Sequence, residues 1–395
     1  MEYKELESLV NNTIDNEKHK AFYLNEYIFN NPELPHTEKL ACAMYVELLT
    51  KEGIKVEDNF LGIETAFRAT INEDPNSAIK IGILAEYDAL PEIGHACGHS
   101  ASGALSFLAA LALFKNKENL KGNIYLIGTP AEEGNNAAKK VMADANLFDD
   151  FSYAIMIHMY DKNQAYTKFM ALDTFAFEFY GKPSHAAASP WEGKNAVNGM
   201  TLFIHALDMM RQQLRDESRI HGRILSGGTA TNVIPEYASC MYTFRYKKAD
   251  YLNEIIRMAY DAAEGCAKAT QTTLKISDSL AGYNDMILIP SANSLIESIY
   301  EELDVELSKE PVMPLGSSDI GNVSYRCPAL HPMISITNKP MALHTKEFAD
   351  CVMTDKTKWA IEKGAKTIAT FITRSIYDET IIDNMKKEHE EQIAK

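Results

Sequence analysis

No stretch of about 18 consecutive apolar residues occurs in the 395-residue chain, so the sequence holds no candidate membrane-spanning helix. Positive charge is in deficit: 39 Lys and Arg stand against 55 Asp and Glu, a formal net charge of −16. That balance excludes a general nucleic-acid binder, which needs a basic face. It leaves room for a small acidic ligand, because one local Arg can hold a carboxylate. Cysteine is sparse, with six residues at 42, 97, 240, 266, 327 and 351 and no framework spacing. Such a set reads as reduced, mostly buried thiols rather than a disulfide scaffold. The opening Met1-Glu2-Tyr3-Lys4-Glu5-Leu6-Glu7 is acidic and lacks the apolar core of a signal peptide, so a cytoplasmic location is expected. Internal repeats and low-complexity segments are also missing. What remains is 46% apolar and 24% charged, enough for a sizeable core and unlike a disordered chain. At about 150 residues per domain, the length suggests two or three domains.

The chain changes grammar twice. Leu40, Ala41, Met44, Leu48 and Leu49 follow helical spacing after Thr37, a candidate N-cap. Short apolar runs at 79–85, 123–128, 153–158 and 334–336 suit buried strands of a mostly parallel sheet. The Ala- and Leu-rich segment 101–114 reads as a buried helix. In the middle, Phe175, Phe177 and Phe179 alternate as in a strand, and 193–214 places Val197, Met200, Ile204, Leu207 and Leu214 on one helical face. Strands at 222–226 and 238–246, a helix at 249–268 and a strand at 272–280 follow. The order β-α-β-β-α-β is ferredoxin-like. The expected fold is therefore α/β: residues 1–170 and 285–395 form one mostly parallel-sheet domain, and 171–284 form an inserted ferredoxin-like α+β domain. Residues 386–391, Lys-Lys-Glu-His-Glu-Glu, read as a solvated tail.

Metal-ligating residue types gather just past the predicted strands. The 79–85 strand runs into Glu86-Tyr87-Asp88 and on to His95-Ala96-Cys97-Gly98-His99. The 123–128 strand runs into Pro130-Ala131-Glu132-Glu133-Gly134, the third run ends at His158, and His344 follows the last. Ligands bind beyond the carboxyl ends of strands in open α/β sheets. Taken singly, each piece has a plainer explanation: a thiol beside a helix start, a solvated acidic loop, a core histidine. Together, thiolate, imidazole and carboxylate form a zinc-type donor set. Cys97, His99, Glu133, His158 and His344 are more than one catalytic ion needs, and two ions sharing a ligand would use them better. Zinc suits the thiolate; manganese or cobalt also suit imidazole and carboxylate. In the Glu132-Glu133 pair, one carboxylate can bind metal while its neighbour moves a proton, provided that the backbone there is irregular. The glycines at 227 and 228 lack the Lys-Ser/Thr of a phosphate loop.

These residues resemble metallopeptidase family twenty, which includes aminoacylases, glutamate carboxypeptidases and auxin-conjugate amidohydrolases. The resemblance runs nearly end to end. It covers Asn31-Pro32-Glu33-Leu34 with Glu38, Asp88-Ala89-Leu90-Pro91, His95 to His99, Pro130 to Gly134, the His185 segment, Asn232-Val233-Ile234-Pro235 and His344. The Cys-Gly-His form is similar to the amidohydrolase subfamily. Segments 317–325 and 328–332 look most like dipeptidases that cleave β-alanyl or Xaa bonds to basic amino acids, and like aminobenzoyl-glutamate hydrolases. Two departures are Ser100, where many relatives have Asp, and Ser318-Asp319-Ile320, where Glu-Asp-Phe is usual.

The resemblance implies a metal-dependent amidohydrolase or peptidase that cleaves a dipeptide or an N-acyl amino acid with metal-activated water. Cys97 would bridge two divalent ions, with His99, Glu133, His158 and His344 as the other ligands and Asp88 orienting one of them. Glu132 would be the general acid/base. His185 would stabilise the oxyanion in a neighbouring subunit's site, Asn232 would assist or hold substrate, and Arg245 would clamp the substrate carboxylate. The inserted domain would make a homodimer. An aminobenzoyl-glutamate-type deacylase is the alternative substrate reading. Remoter rivals are a Cys97 thiol hydrolase with His99 or His95 as base, and a non-catalytic binding protein.

Overall fold

A computed structural model of the protein describes residues 3–277 and 282–394. The chain forms two compact units, one from 1–168 with 286–395 and the other from 169–285.

The first unit is built on a six-stranded sheet. In spatial order its strands are Lys55–Asp58, Phe67–Asn72, Asn123–Gly128, Lys80–Ala85, Tyr153–Ile155 and Ala329–Leu330. The last four run parallel, and two antiparallel strands close the other edge. The expected 153–158 strand is split. Residues 153–155 stay in the main sheet, while His158–Tyr160 pairs in parallel with Met333–Ser335 in a separate ribbon. Helices Tyr3–Asn30, His99–Lys115 and Asp355–Tyr377 pack against one another. The helix His99–Lys115 is buried from His99 to Leu113, as its all-round apolar composition requires. Its glycine at 103 permits the contact, since a Cβ there would collide with the Tyr45 hydroxyl and the Glu86 carbonyl oxygen.

Two local expectations change, and one helix is added. Thr37 does not cap the second helix, Lys39–Lys51. The Glu33 carboxylate does so instead, accepting from Leu40 N (2.8 Å) and Ala41 N (2.9 Å). The first helix was not read from the sequence, although Leu6, Val10, Ile14, Ala21, Leu24 and Ile28 form its buried stripe. The segment 386–391 belongs to a docked helix, Glu379–Ile393, rather than a free tail, although Lys386, Lys387, Glu390 and Glu391 are solvent-exposed as expected. The helix buries Ile382 and Met385, accepts from Ser291 through Glu388, and sets His389 Nε2 2.7 Å from Ser324 O.

Helices Tyr3–Asn30 and Asp355–Tyr377 are also joined by charge. Glu362 lies 2.8 Å from Lys18 Nζ and 2.9 Å from Lys366 Nζ. Burial opposes its charge, but the hydrogen bonds from Lys18 and Lys366 outweigh this and hold it at about 2, below its ordinary 4.5. A depressed carboxylate stabilises the fold above its unfolded value and ceases to as pH falls through the folded one. Glu362→Gln is thus expected to lower Tm at neutral pH by the equivalent of under about 1 kcal/mol. The gap from wild type should close between pH 4.5 and about 2. Thermal unfolding across that range checks it; a gap that stays constant contradicts it.

The second unit has the strand order Thr273–Ile276, Ala171–Tyr180, Tyr237–Tyr246, Arg219–Ser226, all antiparallel. With helices Ala196–Met210 and Ala249–Ala269, this is the β-α-β-β-α-β unit. Phe175, Phe177 and Phe179 face inward; Phe177 meets Phe203 at 4.5 Å and Phe175 meets Tyr260 at 5.3 Å. The first helix of this unit buries Ala196, Gly199, Met200, Phe203 and Leu207, so Phe203 anchors it, and Leu214 lies beyond its end. The last expected strand ends at Ile276, and 278–280 of that expectation lie outside the described residues.

Candidate metal centre

The parallel strands deliver the candidate ligands to their carboxyl ends. Lys80–Ala85 leads directly into Glu86 and Asp88, Asn123–Gly128 into Glu132 and Glu133, and Tyr153–Ile155 into His158. Gly98, at φ +85°, precedes the His99 helix, and a Cβ there would meet Met159 Cβ at 2.7 Å. Only glycine allows that approach. His344, also left-handed at φ +61°, is tied to this turn by its N–H to Ala96 O (3.0 Å).

The ligand atoms fall into two triads that share one residue: Cys97, His99 and His158, and Cys97, Glu133 and His344, each with its atoms within 4.8 Å of one another. Cys97 Sγ lies 3.5 Å from His158 Nε2, and His344 Nε2 lies 2.8 Å from Glu133 Oε1. Nitrogen and sulfur on one tetrahedral zinc stand about 3.6 Å apart. The rings are pre-oriented. His99 Nδ1 lies 2.9 Å from Asp88 Oδ1, and His158 Nδ1 lies 2.7 Å from Met159 O. Each Nδ1 therefore serves as donor, which turns the Nε2 lone pair into the site, as outer-sphere partners of metal-bound histidines do. Burial pushes His158 down to about 4, so its ring is neutral and able to ligate. The residues fit a divalent cation: a buried Nε2 on His99 and a buried Oε2 on Glu86 have no hydrogen-bond partner.

The loop carrying Glu132 and Glu133 is braced from outside. Glu38 accepts from Ala131 N (2.8 Å) and Asp88 Oδ2 from Glu133 N (2.9 Å). Ala131 has φ +63°, the irregular backbone that lets neighbouring carboxyls face different ways. Glu132 joins His99 and Glu133 in one group and Glu86 and Asp319 in another. Burial and the adjacent Glu133 raise its carboxyl well above the usual range.

The second unit holds the other three candidates. His185 and Asn232 are adjacent: Ala186 N donates to Asn232 O (2.9 Å), and His185 bridges Val233. His185 Nδ1 accepts from Ala187 N and Ala188 N, leaving the exposed ring's proton on Nε2. Arg245 does not join them. It pairs with Leu172 while Tyr237 pairs with Tyr180, about 26 Å along the strand at roughly 3.3 Å per residue. The sequence alone assigns no role to Glu86, Lys139 or His331. His331 stacks on His158 at 5.6 Å. The signal for Glu86 was a charge at the buried end of an apolar strand.

A model of peptidase family M20/M25/M40 matches residues 82–374. The chain belongs to this family. It is 30% identical over 390 residues to the Xaa-Arg dipeptidase of Mus musculus, across 95% of this chain and 90% of the relative. It is 27% identical over 298 residues to one of the component chains of the p-aminobenzoyl-glutamate hydrolase of Escherichia coli, across 69% of this chain and 60% of that one. Among solved structures, a dinuclear metal-binding peptidase of the M20 family from Bacillus subtilis has the same fold, with TM-score 0.69 and 17% identity over 92% of this chain and 99% of that one. As an M20 family member the chain is a hydrolase of amide bonds. No helix among the described residues is long and apolar enough to cross a membrane.

Proposed function

We propose that this hydrolase cleaves a dipeptide or an N-acyl amino acid with a free α-carboxylate, using two divalent ions. The two ligand triads meeting at Cys97 carry this reading. Zinc suits the thiolate best, with manganese or cobalt next. When bound, such ions lower the pKa of a water toward ~7 and polarise a carbonyl. Cys97, His99, Glu133, His158 and His344 hold them. Glu132 takes the proton from the attacking water and returns it to the departing amine; burial and the adjacent Glu133 raise its carboxyl above the usual range. His185, with its proton on Nε2, donates to the oxyanion in a neighbouring subunit's site. Asn232 stands beside it to hold substrate. The carboxylate clamp by Arg245 rests on family resemblance alone. Against a thiol nucleophile, burial drives the Cys97 thiol well above its ordinary value, the reverse of activation.

The dipeptide class leads because the 30% identical relative, which spans 95% of the chain, is named an Xaa-Arg dipeptidase. A panel of dipeptides ending in Arg, Lys, Glu or Leu, with aminobenzoyl-glutamate and N-acyl amino acids, tests it. The highest kcat/KM on a basic C-terminal residue is expected. Preference for aminobenzoyl-glutamate moves the substrate class, and no cleavage of any member overturns the reading.

A cytoplasmic homodimer belongs to the same proposal. All six cysteines are free. Arg219–Ser226 is an edge strand with Ile224 59% and Leu225 44% exposed, and the neighbouring helix exposes Met209. An apolar edge of this kind is a template for pairing with a second copy. Ile224→Asp with Leu225→Asp should convert dimer to monomer in light scattering and remove turnover, since His185 acts across subunits, with metal content intact. A fully active monomer contradicts this.

A further inference from the structure

We propose that Glu86 is a further metal ligand, completing with Cys97, His99 and His158 the set around one ion; this rests on the metal-centre reading above. Glu86 immediately follows the central strand Lys80–Ala85 and is 1% exposed. Its two oxygens have different surroundings. Oε1 accepts from Lys139 Nζ at 2.7 Å. That ammonium also lies 2.6 Å from Asp319 Oδ1, and Lys139 N donates to Asp319 Oδ2 at 2.9 Å. Lys139 and Asp319 are themselves fully buried. The carboxylate plane is thereby fixed from behind.

Oε2 points the other way. It is buried without a hydrogen-bond partner, 3.5 Å from His99 Nε2 and 3.9 Å from His158 Nε2. Both rings use Nδ1 as donor, to Asp88 and to Met159 O. A buried anionic oxygen without a hydrogen-bond partner thus faces the Nε2 atoms of two rings whose Nδ1 atoms are already committed as donors, an arrangement that a cation would make favourable. A proton on His99 meets that need only partly, because 3.5 Å is long for a hydrogen bond. Oxygen and nitrogen ligands on one tetrahedral ion stand about 3.3–3.4 Å apart, close to the observed spacing. Glu86 also lies in an acidic group with Glu132 and Asp319, where the Lys139 ammonium pairs with Asp319 and with Glu86 through Oε1 alone, leaving Oε2 without a hydrogen-bond partner.

The test titrates Co(II) into metal-free wild type and E86Q, reading visible absorption and bound metal per chain. Wild type is expected to bind two ions. E86Q should keep the thiolate-to-metal band of the ion at Cys97, Glu133 and His344 and bind the other at least ~10–100-fold more weakly, the loss typical even of an outer-sphere partner. Equal affinity for both ions in folded E86Q overturns the proposal. Should E86Q fail to fold, with Lys139 deprived of its partner, the crystal structure of metal-loaded wild type decides. Glu86 Oε2 within about 2.0–2.2 Å of an ion supports it, and separation beyond ~3 Å overturns it. Wild type that binds no metal defeats the underlying metal-centre reading as well, an outcome distinct from failure at E86Q alone.

Discussion

Glu132→Gln is expected to lower kcat by about 10²–10⁴-fold, the contribution of a positioned general acid/base, with metal content unchanged. The side chain keeps its size and its place beside Glu133, so the ligand triads at Cys97 survive. What is lost is the group that takes a proton and gives it back. An amide can do neither. The wild-type carboxyl is raised well above its usual range by burial and by Glu133. Steady-state kinetics beside metal analysis separates the cases. A fall in kcat at constant metal supports the assignment. A fall in both makes Glu132 a ligand, and unchanged kcat removes it from the chemistry.

Cys97→Ala is the second large effect. Cys97 is the residue common to both triads, so its loss should weaken both ions together and abolish turnover. Loss of His344 should instead release one ion, since it belongs to the Glu133 triad alone. Metal titration of the two variants reads this asymmetry. Full retention of two ions by Cys97→Ala would show that the thiol is not shared.

How much of this was readable before folding depends on whether the signal was local. The Cys97-Gly98-His99 turn, the Glu132-Glu133 loop and the strands 80–85 and 123–128 were legible because each is a short segment with its own chemistry. The ferredoxin-like unit was legible because Phe175, Phe177 and Phe179 alternate over a long strand. The rest depends on tertiary contact. Lys139 sits in a seven-residue helix, Ala138–Asp144, and reads as a surface charge until Glu86 and Asp319 close around it. The cap on the second helix comes from Glu33, seven residues before Leu40, so the nearer Thr37 misleads. The charged 386–391 segment docks through Glu388 and His389 to residues far away in sequence, which composition does not reveal. Arg245 and His185 lie in one unit but at opposite ends of its sheet, a separation that only strand register discloses.

The central claim is that hydrolysis depends on the ions held by the Cys97-centred ligands. Its most direct test is cleavage of an Xaa-Arg dipeptide by wild-type protein before chelation, after exhaustive chelation, and after readdition of zinc or manganese. Activity that vanishes with the metal and returns with about two ions per chain is the predicted result. Cleavage that persists at full rate in metal-free protein would contradict the account and reassign Cys97 from ligand to nucleophile.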